Sequence, residues 1–445
     1  MSDRSRRDVI KSLGAAGTAG TISLAGCSQQ TSSESTETST PESGSDSGDE
    51  PTEQAATEES SGGEPVSLGS IFPVTGTNSA YGGGHQRAFN LAVEEINNAG
   101  GILGGREVTA VNSDTEGSPS RAAQKFRTMI NEEGIVGLVG PYSSGIGTTL
   151  APIAKDSRVM EISNGNTSPA LETAGVNEDN NVKYYGRTAP NDVQQALVMA
   201  RVLNQTVEAE TASFLYVDNP YGEGLASEAS EAFDGETLNM VAYSMQTSDY
   251  TSTIDSVFDG GPDAVGAVMY PGNGRTILQQ WGDSGYDGQW VGAEAIWSPD
   301  MLSEISDVVE GMYITSPQTA NSSTFQENMG GQQQITQFAP HAYDATYLMG
   351  LALEQGGEAS GTAIGENVRS VSRPTGDDTE VSVAGFGNGK EALADGSPVN
   401  YEGASGSVDL NENLEPVVPY RIMRVSDGTA ELNQEVPLSY FEGKI

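Results

Sequence analysis

The chain has 445 residues, with 62 acidic side chains, 21 basic ones and a formal net charge of −41. A surface this negative repels a phosphate backbone, so the composition excludes nucleic acid as a default partner. The charge is typical of a halophilic protein, because the Debye length falls to about 3 Å in molar salt and the carboxylates are then screened.

Residues 1–26 carry the features of a twin-arginine export signal. Arg6 and Arg7 precede a short run of small and apolar residues, which is shorter than the about 20 apolar residues needed to span a bilayer. Leu24-Ala25-Gly26-Cys27 has the form of a lipobox, and Cys27 is the single cysteine, so no internal disulfide can form. We therefore expect cleavage before Cys27, lipidation of that residue, and anchoring to the outer face of the cell membrane by lipid alone; a buried structural cysteine is the alternative.

Residues 27–65 have the composition of a tether. After Cys27 the segment is made almost wholly of Ser, Thr, Glu, Gly, Pro and Gln, with no Lys or Arg. Such a segment cannot bury enough apolar area to offset the entropy of ordering. We expect a disordered acidic linker that holds a folded domain clear of the membrane.

From Val66 onward, predicted strands and helices alternate. Phe89, Ala92, Val93 and Ile96, for example, follow the i, i+3, i+4, i+7 spacing of one helix face. The predicted strands are 66–72, 107–111, 135–139, 159–162, 213–217, 238–243, 264–269 and 289–292. The other predicted helices are 120–131, 144–155, 192–205, 222–233, 251–258, 274–284 and 338–354. The alternation restarts after Arg187, which predicts an α/β fold of two doubly wound lobes that face one cleft.

Polar or aromatic turns follow five of these strands. They are Gly140–Gly145, Ser163–Pro169, Asp218–Gly222, Tyr270–Gly272 and Gly292–Glu294. A helix start with exposed amides and a neighbouring hydroxyl suits a carboxylate. Each turn alone is more simply a helix cap, but five such turns at the carboxyl ends of alternating strands predict a ligand site.

Three segments resemble the leucine/isoleucine/valine-binding proteins of ABC importers. They are the opening region with Ile71–Gly76, Tyr81-Gly82 and Ala92–Gly105, then Asp218–Ala226, then Tyr401–Gly406. The resemblance covers residues 66 to 430 and implies the type I periplasmic-binding-protein fold. It also implies an extracytoplasmic receptor, expected to be a monomer, that captures a free amino acid, branched-chain in the first place, and delivers it to a permease and its ATPases.

The resemblance also carries over ligand contacts. Ser144 and the amide of Tyr142 match the position that receives the ligand carboxylate. Gly165 and Thr167 match a turn that supplies a carbonyl, an amide and a hydroxyl, and Glu294 matches the acid that pairs with the α-ammonium group. Three aromatic residues match positions around the ligand: Tyr81, Tyr221 and Tyr270.

Lobe limits and a mechanism follow from the same resemblance. We expect lobe 1 at 66–189 and 319–416, and lobe 2 at 190–318 and 417–445, with closure about hinges near Thr188–Asn191 and Ser316–Thr319. Helix 338–354 is expected to return to lobe 1, which makes the hinge a multi-crossing one.

Some features depart from the family and leave the ligand open. The disulfide of the archetype is missing, Met269–Asn273 differs, and Trp297 could narrow the pocket for the ligand's side chain. Amides, urea, aromatic acids and small peptides therefore stay as alternative ligands, and a sensory co-receptor stays as an alternative role.

The sequence argues against an enzyme. It has no G-x-S-x-G or H-E-x-x-H motif, and only His85 and His341 could serve as an imidazole base. His341 beside an apolar stripe is expected to pack or cap. Gly272-Asn273-Gly274 stops short of a dinucleotide fingerprint, and no D-x-D-x-D-G loop occurs. We expect no catalytic residue, no cofactor and no metal.

Overall fold

The computed structural model describes residues 62–320 and 322–445. The predicted export signal, Cys27 and most of the predicted tether lie outside the described residues. The strands are β1 (Val66–Phe72), β2 (Val108–Asp114), β3 (Gly137–Val139), β4 (Met160–Ser163), β5 (Val176–Asn177), β6 (Val182–Lys183), β7 (Tyr185–Arg187), β8 (Thr211–Val217), β9 (Glu236–Tyr243), β10 (Ala264–Val268), β11 (Gln289–Gly292), β12 (Tyr313–Pro317), β13 (Thr379–Val381), β14 (Val399–Tyr401), β15 (Tyr420–Ser426) and β16 (Thr429–Val436).

Helices follow most of the strands. They are α1 (Ser79–Asn98), α2 (Pro119–Glu132), α3 (Ser144–Ser157), α4 (Asp192–Arg201), α5 (Pro220–Ala232), α6 (Thr251–Val257), α7 (Pro271–Ser284), α8 (Pro299–Glu304), α9 (Ser306–Val309), α10 (Ser323–Asn328), α11 (Ala339–Gly356), α12 (Gly361–Val371) and α13 (Phe386–Ala394). Local chemistry fixes several starts: the Asn219 side chain accepts a hydrogen bond of 3.0 Å from the Gly222 amide, and Pro220 occupies the first helical position of α5.

Two larger sheets organise these elements. The first has the order β2-β1-β3-β4-β7 and is parallel throughout. The second has the order β16-β15-β12-β11-β10-β8-β9, in which β8 to β12 are parallel. In each sheet the strand order reverses once near the middle, between β1 and β3 and between β8 and β10. Open α/β sheets bind ligands at such switch points, beyond the carboxyl ends of the strands.

Each sheet has its own apolar core. Successive residues of β1 point to opposite faces: Phe72 packs with helices α1 and α11, and Ile71 packs with helices α2 and α3. The second sheet packs with α4 to α7 around a cluster that includes Phe214 and Ile277. The predicted α/β fold with two doubly wound sheets is confirmed; the exact lobe limits stay a prediction.

The chain passes between the two sheets three times. The passages follow β7, follow β12 and precede β15. Two neighbouring glutamines of α4 connect them: the Gln194 side chain donates to the Pro416 carbonyl at 3.1 Å, and the Gln195 side chain donates to the Thr315 carbonyl at 3.0 Å. The two predicted hinge segments lie at the first two passages.

The structure differs from the sequence prediction at helix limits and in elements that were not predicted, among them β7 of the first sheet and the mostly buried strand β12 inside the second. The predicted helix 192–205 is α-helical only to Arg201 and continues as a π-helical segment, Val202–Val207. Strands β15 and β16 were not predicted, and they add an antiparallel hairpin to the parallel sheet. Both strands come after the alternating pattern has ended, and β16 is mostly exposed, so its residues carry no apolar signal.

Candidate functional site

One small cavity lies at the carboxyl ends of strands from both sheets. It is lined by seven of the eight predicted ligand-binding residues and by two others: Tyr142, Ser144, Gly165, Thr167, Tyr221, Tyr270, Glu294, Ala295 and Phe338. The eighth predicted residue, Tyr81, stands on the first turn of α1, and its ring centroid is 5.2 Å from that of Tyr142. The structure therefore brings the predicted residues together, and their binding role stays a prediction.

The first-sheet side of the cavity offers a helix start and a hydroxyl. Ser144 is the first residue of α3 and is almost completely buried. Its hydroxyl oxygen accepts a long hydrogen bond, 3.4 Å, from the Ser168 amide. Because the first amides of a helix have no partner within the helix, this end of α3 suits an anionic group.

Hydrogen bonds of the Ser163 side chain hold the turn after β4 in place. The Ser163 hydroxyl accepts hydrogen bonds from the amides of Gly165 at 3.2 Å and Asn166 at 2.8 Å, and it donates to the Pro141 carbonyl at 2.7 Å. Gly165 has no room for a side chain, since a Cβ there would lie 2.6 Å from the Tyr142 ring. These contacts fix the backbone beside Thr167, whose side chain is buried at the cavity.

A buried ion pair supports the same turn. The Arg187 guanidinium pairs with Glu415 and also donates to the carbonyls of Asn166 at 3.1 Å and Ser168 at 2.8 Å. Arg187 and Glu415 are 1% and 7% exposed. The pair therefore orients the turn while each buried charge keeps its opposite.

The second-sheet side of the cavity is aromatic and acidic. The rings of Tyr221 and Tyr270 stack with centroids 5.8 Å apart. The Tyr221 hydroxyl donates to Glu294 Oε1 at 3.3 Å, and Asn219 Nδ2 donates to the Tyr270 hydroxyl at 3.4 Å. Glu294 follows β11 directly and is 2% exposed.

The buried carboxyl group of Glu294 is not fully hydrogen-bonded. Its Oε2 has no hydrogen-bond partner among the described residues. Burial raises the pKa of Glu294 to about 7, although hydrogen bonds from Gln195 and Tyr221 oppose the rise. A cation placed beside it would replace lost hydration and stabilise the ionised form.

Asp192 is a buried acid that the sequence analysis did not single out, and the charge of Glu294 acts on it. It is fully buried, and neither carboxyl oxygen has a hydrogen-bond partner by strict geometry within the described residues. Burial raises its pKa well above the ordinary value, and the neighbouring charge of Glu294 raises it further. An acid at the first residue of a helix is the usual complement to the helix dipole, so the sequence held no signal that separated Asp192 from an ordinary capping residue.

Phe338 is a second residue that the sequence analysis missed as a cavity wall. It precedes α11 with φ of 60°, in the left-handed region, and its ring is 6.2 Å from Tyr142. Trp297, expected to narrow the side-chain pocket, lies instead on a neighbouring cavity that shares Phe338. Phe338 was the first residue of the predicted helix 338–354, where a Phe is indistinguishable from a core residue in a sequence.

The two sides touch across the cleft. The Ser168 hydroxyl donates to the Pro220 carbonyl at 2.7 Å. The space open to the centre of a water molecule is about 10 Å³, which is about the room that one water needs. The arrangement is closed, so an amino acid enters only if the sides separate or side chains turn aside.

Both histidines of the chain are buried and have lowered pKa values. His85 and His341 are both buried, and burial lowers their pKa values to about 4 and about 3. Within residues 62–320 and 322–445, no group of three or more His, Cys, Asp or Glu residues could hold a metal ion. A search of the same residues finds no helix that is long and apolar enough to cross a membrane.

Comparison with known proteins identifies the family. The sequence profile of the periplasmic binding protein family matches residues 65–429. The chain belongs to the periplasmic binding protein family. Members of this family are extracytoplasmic binding proteins rather than enzymes, and the predicted resemblance to leucine/isoleucine/valine-binding proteins is confirmed.

Relatives of this periplasmic binding protein differ in the role that their names record. The chain is 32% identical over 383 residues to the chemotactic signal transduction system substrate-binding protein BasB of Halobacterium salinarum, which covers 85% of this chain and 91% of the relative. It is 23% identical over 316 residues to the leucine-, isoleucine-, valine-, threonine- and alanine-binding protein of Pseudomonas aeruginosa, covering 69% and 83%. The leucine-binding protein LivK of Thermotoga maritima shares the fold with a TM-score of 0.69 at 20% identity, covering 84% and 99%.

Proposed function

We propose that this protein captures a free α-amino acid between its two sheets, with branched-chain amino acids as the first ligands to test. The observation that carries the proposal is the chemistry of one cavity. A helix start and two hydroxyls line one side, and a buried, incompletely paired carboxyl group lines the other. A zwitterion is the ligand that supplies both missing charges at once.

Each side of the cavity takes one end of the ligand. The ligand carboxylate accepts hydrogen bonds from the Ser144 hydroxyl and the Tyr142 amide. Thr167 and the Gly165 backbone orient the α-carbon, and Glu294 pairs with the ammonium group. The ligand's side chain lies among aromatic rings: Tyr81, Tyr221 and Tyr270.

Capture proceeds by closure of two lobes. The lobes are residues 66–189 with 319–416 and residues 190–318 with 417–445, and they turn about the passages near Thr188–Asn191 and Ser316–Thr319. The closed form is favoured by the ligand because only there does the ligand contact both sides. The closed contacts already present, such as Ser168 with Pro220, set the geometry of that form.

The loaded protein delivers the amino acid to an ABC permease and its ATPases. Twin-arginine export over residues 1–26, lipidation of Cys27 and the acidic linker 27–65 keep the receptor, a monomer, at the outer face of the membrane. The match to a family of binding proteins supports a role in binding.

A sensory role is the second candidate, and one observation favours it. The chemotactic substrate-binding protein BasB is 32% identical and covers 85% of this chain. In that case the same cavity reports ligand to a separate membrane receptor. Co-purification from membranes after crosslinking separates the two candidates, because a permease supports import and a chemotaxis transducer supports sensing.

Thermal unfolding of the full chain in multimolar KCl tests the ligand class. A ligand at 100 times its dissociation constant should stabilise the fold by about 2.7 kcal/mol, which is a shift of several degrees. We expect leucine, isoleucine or valine to raise the melting temperature of the wild type and of the exposed control Glu431→Ala, but not of Glu294→Ala. Shifts with amides, urea or aromatic acids alone would overturn the amino-acid assignment and keep the binding role.

A further inference from the structure

A second, larger cavity adjoins the candidate site. Its volume is about 290 Å³, and we call it the Arg421 pocket. Its lining residues include Trp297, Ser316, Gln337, Phe338, His341 and Arg421. Phe338 is the residue that both cavities share. A volume of this size accommodates a small organic group, whereas the candidate site itself holds about one water.

Arg421 brings an unneutralised charge to this pocket. Its guanidinium lies over the Trp297 ring, 4.6 Å from the ring centroid, and is only partly exposed. Its Nε has no hydrogen-bond partner, and it forms no salt bridge with any residue that the structure describes. In a chain of net charge −41, a half-buried arginine that lacks a carboxylate is unusual, because buried charges normally keep a partner.

Two further polar groups of the pocket are unsatisfied. His341 is 3% exposed, and its Nδ1 has no partner among the described residues. The side-chain oxygen of Gln337 is also buried without a partner there. His341 is neutral at pH 7, because burial lowers its pKa to about 3, so either tautomer is available for a ligand.

Phe338 forms the wall between the two cavities. Its ring lies between those of Tyr142, at 6.2 Å, and His341, at 4.9 Å. Its backbone adopts φ of 60°, which bulky residues rarely do, and Asn164 Nδ2 donates to its carbonyl at 3.3 Å. The backbone is therefore held, and a ligand that reaches from one cavity to the other has to displace the Phe338 ring.

We propose that the site accepts α-amino acids whose unbranched side chain passes Phe338 and ends in a carboxylate bound by Arg421, to which His341 Nδ1 donates a further hydrogen bond. The inference rests on the proposed function, since the α-carboxylate and ammonium groups are held as described there. It adds a class of ligand that the family resemblance does not name. Arg421 is the residue that distinguishes an anionic side chain from an apolar one of the same length.

A matched pair of ligands tests the proposal. Norleucine and 2-aminoadipate have side chains of the same carbon number, which end in a methyl and a carboxylate. Isothermal titration of the full chain should show 2-aminoadipate binding at least about tenfold more tightly than norleucine, since a charge-assisted hydrogen bond in a desolvated pocket is strong. The Arg421→Gln variant should lose that difference and keep the affinity for norleucine.

Arg424→Gln is the control variant. Arg424 lies on the same strand, stacks over Tyr313 at 5.8 Å and is exposed, so both affinities should stay unchanged. Norleucine binding with no preference for 2-aminoadipate in the wild type overturns the inference, and this result does not need any variant to fold. A preference that survives Arg421→Gln overturns it too. If no α-amino acid binds at all, the proposed function fails instead.

Discussion

Two buried carboxyl groups beside the candidate site have opposite surroundings. Glu415 pairs with Arg187 and also accepts a hydrogen bond of 3.0 Å from Asn191. Glu294 accepts a long hydrogen bond of 3.3 Å from the Tyr221 hydroxyl, and its Oε2 lacks a partner by strict geometry among the described residues. The first carboxyl is neutralised by the protein itself, whereas the second is left for something else to neutralise.

The first-sheet and second-sheet sides of the cavity therefore contribute to binding in different ways. On the first-sheet side, the two hydrogen bonds that Arg187 donates to backbone carbonyls fix the Asn166–Ser168 turn before any ligand arrives. Such preorganisation lowers the cost of binding. On the second-sheet side, Glu294 and Asp192 are both buried, and burial, followed by the charge of Glu294, raises the pKa of Asp192. The fold thus stabilises one side and leaves the other to be stabilised by a cation.

The Arg187→Met variant should give the largest effect. Removal of one partner leaves the Glu415 charge buried and alone, which destabilises proteins by about 3 to 5 kcal/mol. Chemical denaturation of wild type and variant in multimolar KCl measures the difference. The control is Arg275→Met, which breaks an exposed pair with Glu304 and should change stability by about 1 kcal/mol or less. Equal losses of stability in Arg187→Met and Arg275→Met would contradict the stabilising role of the buried pair of Arg187 and Glu415.

The Glu294→Gln variant should affect binding rather than folding. Loss of the buried ionic partner should weaken amino-acid affinity by about 2 to 5 kcal/mol, measured by isothermal titration. The stability of the empty protein should stay the same or rise, because the substitution removes an unpaired buried carboxyl. A variant that binds normally, or that unfolds as readily as Arg187→Met, would contradict this assignment.

The pH dependence gives the sign of the Glu294 contribution. The pKa of Glu294 rises from its ordinary value of 4.5 to about 7 on folding, so the folded protein holds the proton more tightly. Its contribution to stability is therefore present below about pH 4.5 and is lost as pH rises through 7, by on the order of 3 kcal/mol. The difference in stability between wild type and Glu294→Gln should follow that fall. Ligand affinity should move the other way, strengthening as pH rises from 5 to 8, because the ammonium group needs the ionised carboxylate.

The sequence alone predicted most of the fold, for a physical reason. Apolar periodicity reports burial, and nearly every strand and helix between Val66 and Gly292 is buried on at least one face. Strand β16 was missed because it is mostly exposed and carries no such signal, whereas β12 and β15 were missed despite their burial. The limits of α5 and α7 were placed too late, since Pro220 and Pro271 start these helices and are easily taken for the end of a turn.

The candidate site was predictable to the extent that it lies at strand ends. Ser144, Thr167 and Glu294 lie in the turns that follow β3, β4 and β11, so topology brings them together. Asp192 and Phe338 escaped because their roles depend on how the chain passes between the sheets. That packing fixes which helix start is buried and which ring faces the cavity, and neither fact has a local pattern in the sequence.

Tyr221→Phe should give the smallest effect, because it removes a single hydrogen bond to Glu294. The substitution removes only the hydroxyl that donates to Glu294, so the stacked ring on Tyr270 is kept. Amino-acid affinity should fall by about 0.5 to 1.5 kcal/mol, and the pH at which affinity reaches half its rise should move upward, because the lost hydrogen bond favoured the ionised carboxylate. Tyr286→Phe is the matched control, since the Tyr286 hydroxyl also donates to a carboxylate, Asp255 Oδ1 at 3.0 Å, but at an exposed position. If both variants shift the pH profile of affinity equally, the hydrogen bond from Tyr221 to Glu294 does not set that profile. If only Tyr221→Phe shifts it, Glu294 is the carboxyl group that pairs with the ligand.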